Sequence, residues 1–148
     1  MSQGYRGLFQ AWELACYAGF LVGREATRYM LPRGRGTILF TEATASVRGG
    51  AGFAAFASAK FGLRAVAQSM ARELGPRNIH VVHLLIDAGV DSPAIHERMR
   101  VRGVDPMAIP GDSLTKTSSI AEAYWFAHAQ SRDGWTHEMD LRPGVEKW

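Results

Sequence analysis

The sequence predicts an α/β fold: a parallel sheet of about three strands with packed helices. Two observations carry this. Apolar residues recur at helical spacing over 8–30 and again over 53–74, a short, continuously apolar run at 37–41 has the character of a strand covered on both faces, and 78–86 reads as a second buried strand. Helix and strand alternate along the chain, an order most simply met by parallel strands joined through right-handed crossovers.

Each element has its own signals. In the first helix Leu8, Phe9, Trp12, Ala15, Cys16, Gly19, Phe20, Gly23, Ala26, Thr27 and Met30 fall at intervals of three and four, and Pro32, Gly34 and Gly36 end it. The run Thr37 to Thr41 reads as a strand, followed by a loop of small residues from Glu42 to Gly52. The second long helix, Phe53 to Leu74, is rich in alanine, which lets a neighbouring helix approach closely, and Gly75-Pro76 stops it. Asn78 to Ile86 is the second strand, leaving through Asp87-Ala88-Gly89. Residues 90–116 read as irregular, with a short helix over Ile95 to Arg102. Ser118 or Ser119 is placed to cap a helix from Ile120 to Gln130, and Trp135 to Leu141 alternates as a third, half-buried strand.

Composition narrows the function classes. The chain has 148 residues, 47% hydrophobic and 21% charged, which suits one folded domain with one core. Its net charge of +3 comes from 17 Lys and Arg spread along the chain, without the basic stripe and exposed aromatics of a nucleic-acid binder, so no nucleic-acid partner is expected. The single cysteine, Cys16, excludes an internal disulfide and suits a cytoplasmic location. The apolar stretch Leu14 to Val22 is too short to span a bilayer and lacks a signal-peptide pattern, so no membrane association is expected. Five histidines stand without ligand spacing, and no metal is expected.

Several segments in order carry a likeness to a known family: Gly36-Thr37-Ile38-Leu39-Phe40 with its small-residue loop, Phe56-Ala57-Ser58-Ala59-Lys60, Ala71-Arg72-Glu73-Leu74, Ile79-His80-Val81-Val82, and Trp135-Thr136-His137-Glu138 with Leu141-Arg142-Pro143. In these the chain resembles the short-chain dehydrogenases/reductases. The resemblance implies a truncated Rossmann-like sheet, the chain being a single partial domain over 1–148 without the N-terminal nucleotide-binding half. It also implies a working set in which a tyrosine is general acid or base and a lysine four residues on lowers its pKa and holds the nicotinamide ribose, assisted by a serine and an asparagine. At the matching positions stand Phe56 for the tyrosine, Ala43 for the serine and Ala15 for the asparagine; Lys60 alone keeps its type, as the catalytic and cofactor-binding candidate. Phenylalanine has no proton to give.

Other groups near the strand ends are candidate pocket residues. Thr41, Thr44 and Ser46 offer hydroxyls in place of the missing serine, and Asp87 and Asp91 lie where α/β folds place ligands, although turn chemistry accounts for both aspartates as well. Gly49-Gly50-Ala51-Gly52 follows the wrong strand for a dinucleotide turn and lacks the acidic residue about 20 positions on. The family's proline-glycine pair after the second strand is replaced by Ile86-Asp87.

The reading on these grounds is a homodimeric binding or interaction module without hydride transfer, needing no cofactor. It competes with an NAD(P)-dependent oxidoreductase completed by another chain or segment, and with a cofactor-independent lyase, hydratase or isomerase using Asp87, Asp91 and Lys60. The helices over 8–30 and 53–74 correspond to the family's dimer-forming pair, and a sheet lacking neighbours exposes an edge and an apolar face that a second copy, another protein or a rearrangement must cover.

Overall fold

The computed structural model describes residues 5–145. Three parallel strands, β1 (Gly36–Ala43), β2 (Ile79–Ile86) and β5 (Glu138–Leu141), form a sheet in the order β1-β2-β5. Every residue of β2 is buried, His80 and His83 included, as suits a central strand covered on both faces. On one face β1 and β2 pack Ile38, Phe40, Ile79 and Val81 against Leu63, Ala67 and Leu74 of α3 (Ala54–Leu74). On the other, Leu84 and Ile86 meet Ile120 and Ala123 of α5 (Thr117–Ala129).

The first helix is continuous but not uniform. Helices α1 (Tyr5–Trp12) and α2 (Ala18–Met30) are joined by one π turn, Glu13–Tyr17, a distortion that apolar periodicity does not announce. Its buried residue, Cys16, rests on α3 at Gly62, where a Cβ would come within 2.8 Å of the sulfur and 3.3 Å of the Trp12 Nε1. Gly62→Val is therefore expected to push the π turn off α3 and cost about 1–3 kcal/mol in urea unfolding.

Three expectations need correction. Strand β1 runs two residues beyond Thr41, so Glu42 is a buried strand residue and not the start of a loop; its pairing with β2 holds to the end, through Ala43 opposite Ile86. The segment read as irregular contains a parallel two-stranded ribbon, β3 (Gly89–Asp91) with β4 (Leu114–Lys116), flanking α4 (Pro93–Val101). Ser92, whose side chain accepts from the Ile95 backbone, caps α4. Helix α5 begins at Thr117 behind Lys116 with no side-chain cap, so neither Ser118 nor Ser119 caps it.

Beside the sheet, one edge of β1 has no strand partner among the described residues. Leu39 on β1 and Trp125 and Phe126 on α5 stay solvent-exposed on that side. None of the helices of the described residues is long and apolar enough to cross a membrane.

Candidate functional site

At the C-terminal ends of β1 and β2 lies a cavity of about 320 Å³, walled by Ala43, Ala45, Phe53, Phe56, Ile86 and Ala88, with Thr44, Arg48 and the Gly49-Gly50 backbone supplying its polar rim. The volume suits a small molecule, and the lining is predominantly apolar. Two positions where the family resemblance expects hydroxyls, Ala43 and Phe56, are thus hydrocarbon walls of this pocket. Ala15, which stands where the resemblance expects an asparagine, sits inside the π turn.

Asp87 anchors the rim. Its carboxylate is buried, accepts from the Thr44 hydroxyl, lies 2.7 Å from Arg142 Nη1 and 3.8 Å from Arg48. Arg142 also reaches Asp140 at 2.6 Å, so one arginine ties the ends of β2 and β5 together. A buried carboxylate needs such partners, and here they come from two separate segments, the turn after β1 and the residue following β5.

The remaining candidates scatter. The Thr41 side chain points to the α5 face, where its hydroxyl meets that of Tyr124. Burial raises the Tyr124 phenol above its ordinary pKa, partly offset by that hydrogen bond. A phenol does therefore reach β1, but from the face opposite to Lys60. Ser46 is fully buried and donates to the Ala43 carbonyl. Asp91 pairs with His96 at 2.8 Å beside a separate cavity lined by Pro106 and Met107. Of the pocket candidates, only Thr44 and Asp87 are brought together.

Lys60 points inward. Its Nζ donates to the Thr41 carbonyl at 3.0 Å and lies 3.7 Å from Oε2 of Glu42, with the Phe56 ring 5.9 Å away. Glu42 belongs to a buried polar cluster that sequence reasoning missed because it assigned this residue to a loop. The cluster continues through His83, 3.7 Å from Glu42, to Glu138, which Arg64 grips with two bonds of 2.9 and 2.8 Å. Burial pushes the Glu42 carboxyl up to about 7 against the opposing pull of Lys60. Burial likewise drives His83 down to about 4, while hydrogen bonds from Arg64 hold Glu138 well below the usual carboxylate range. The signal available in sequence was the parity of β1: extending the strand by one residue puts Glu42 on the same face as Ile38 and Phe40. Among the described residues no three His, Cys, Asp or Glu side chains are placed to hold a metal ion.

A parallel sheet clad by α3 and α5, with a pocket at its C-terminal edge beside a Phe-x-x-x-Lys segment, defines the class of the chain, and the family comparison agrees. The short chain dehydrogenase family matches residues 10–99, and the chain belongs to that family. It is 32% identical over 114 residues to the (21S)-21-acetoxyl-apo-melianone synthase SDR of Melia azedarach, a match covering 71% of this chain and 40% of that protein. Among solved structures, a short-chain dehydrogenase from Rhodopseudomonas palustris is 49% identical with a TM-score of 0.73, over 96% of this chain and 54% of the other. Sorbitol-6-phosphate 2-dehydrogenase SrlD from Erwinia amylovora shares the fold at a TM-score of 0.81 with 16% identity, over 99% of this chain and 63% of that one. The chain therefore spans about two fifths of its curated relative and about half of the Rhodopseudomonas palustris chain.

Proposed function

We propose that this chain is a binding and self-association module of the short-chain dehydrogenase/reductase family that transfers no hydride by itself. The observation that carries this reading is the commitment of Lys60. The lysine that in the family serves cofactor and tyrosine is here turned to Glu42 and the Thr41 carbonyl, and the ring beside it is a phenylalanine. Neither half of the proton-transfer pair stands ready. The described residues also fit a nicotinamide dinucleotide poorly, because Lys60 is engaged inward and the hydroxyl of Thr44 on the pocket rim is spent on Asp87. The largely apolar pocket supports capture of a small hydrophobic ligand without chemistry.

Self-association rests on the outer face of the two long helices. Phe9, Leu14 and Phe20 of the first helical stretch and Phe61 of α3 are exposed, more large apolar surface than a monomer ordinarily leaves wet. A homodimer through 8–30 and 53–74 covers it, and a soluble cytoplasmic location suits the free thiol of Cys16.

A second reading has its own support. Relatives extend well beyond the matched region, and one edge of β1, which carries the exposed Leu39, has no strand partner among the described residues. On that reading a further segment pairs with β1, supplies the nucleotide site and completes an NAD(P)-dependent oxidoreductase. Assaying the Ala43→Ser, Phe56→Tyr double variant against NADPH with a panel of aldehydes and ketones separates the two. The module reading expects no cofactor oxidation above the no-enzyme rate; turnover by the restored variant alone would show an intact cofactor site and overturn it.

A further inference from the structure

The polar cluster beneath α3 contains an unresolved conflict of lone pairs. The side chains of Glu42 and His83 are 0% and 2% exposed and face each other, Oε1 to Nε2, at 3.7 Å. Neither Glu42 oxygen nor Nε2 of His83 has a hydrogen-bond partner among the described residues. Across the ring, Nδ1 lies 3.9 Å from Oε1 of Glu138. His83 thus stands between two carboxyl groups, and a neutral imidazole has a single N–H with which to serve them.

The two sides are unequally compensated. Glu138 already receives both Arg64 bonds and one from Gln68 at 3.1 Å. Glu42 has the Lys60 ammonium, beyond hydrogen-bond reach at 3.7 Å, and the weaker, more distant pull of Arg64. With the imidazole N–H turned to Glu138, a bare ring nitrogen and a bare carboxylate oxygen confront each other away from water, an arrangement that costs free energy. One added proton removes the conflict as an electrostatic contact at 3.7 to 3.9 Å: on Glu42 it neutralises the carboxylate that faces Nε2, and on His83 it sets a positive ring between the two carboxyl groups.

We propose that Glu42 and His83 hold one shared proton in the folded chain at neutral pH, and that its release hands Glu42 to Lys60, making the cluster a proton-operated clasp between α3 and the sheet. Every element packed around it contributes: Glu42 from β1, His83 from β2, Lys60 and Arg64 from α3, Glu138 from β5 with His137 just before it, and the Cys16 thiol from the π turn, which burial and then the Glu42 charge push upward. The upward shift of Glu42 and the downward shift of His83 agree in placing the proton on the carboxyl. Lys60 stands one helical turn from Phe56, a pocket wall, so the state of the clasp bears on the same helix face that shapes the pocket.

The test is a carboxyl-carbon and imidazole-nitrogen NMR titration of the full chain from about pH 5 to about pH 9. The Glu42 carboxyl and the His83 ring are expected to shift together with one midpoint near neutrality, and Glu42→Gln is expected to erase that step from the His83 signals. A Glu42 carboxyl titrating in the ordinary range would overturn the proposal, as would a neutral-range His83 step untouched by Glu42→Gln. The wild-type spectra alone decide the first point, so a Glu42→Gln chain that does not fold leaves the proposal fully exposed to refutation.

Discussion

Asp87→Ala is expected to be among the most destabilising single changes in the chain, lowering unfolding free energy by about 3 kcal/mol, the range measured when one member of a buried ion pair is deleted. The carboxylate is 4% exposed and holds Arg142 at 2.7 Å, the Thr44 hydroxyl and, more loosely, Arg48. Its removal unties the end of β2 from the turn after β1 and from the end of β5 together. Arg142 keeps its bond to Asp140, which limits the damage, and the largely exposed Arg48 contributes little because water screens it. Asp87→Asn keeps the shape and one acceptor, so its loss is expected to be smaller. Urea midpoints at constant slope measure both; equal, negligible losses would mean that the network carries no stability.

The pH dependence of stability is expected to run opposite to the usual carboxylate pattern at the neutral end. Glu42 is raised to about 7 from 4.5, so the folded chain binds the proton more tightly than the unfolded one. Its contribution is full below the unfolded value and is lost as pH rises through about 7. His83 is lowered to about 4 from 6.5, so its contribution is full above the unfolded value and is lost as pH falls through about 4. The two oppose each other between the unfolded values of Glu42 and His83, and above that window Glu42 dominates. Stability is therefore expected to fall by about 0.5 kcal/mol between about pH 6.5 and about pH 8 in wild type, the last of the His83 term offsetting part of the Glu42 loss, and to rise slightly over that range in Glu42→Gln. A wild-type curve flat across neutrality would contradict the assignment of a buried, protonated Glu42.

Much of the architecture was legible in the sequence because burial on both faces leaves an unmistakable trace: Ile79 to Ile86 reads as a central strand and is one. The alanines of α3 likewise announced close helix contact, realised where Cys16 meets Gly62. What escaped was whatever depends on one residue of phase or on partners distant in sequence. Glu42 looks like a loop acid because a charged residue after Thr41 ends an apolar run, and only pairing through Ala43 with Ile86 makes it interior. The β3-β4 ribbon joins residues 89–91 to 114–116, a pairing without local periodicity to betray it. The candidate site was legible as a set of losses at Ala43 and Phe56. The fate of Lys60 was not, since its direction is set by Glu42 and a backbone carbonyl that no motif contains.

On the function proposed here, the chain by itself has no working hydride-transfer site. Titration calorimetry of the purified chain with NADH and NADPH, with its mass in solution recorded on the same sample, tests it most directly. A folded dimer that shows no saturable heat with either nucleotide is expected. Saturable binding near one nucleotide per chain would contradict it and restore the chain to the dehydrogenases as a cofactor-binding enzyme.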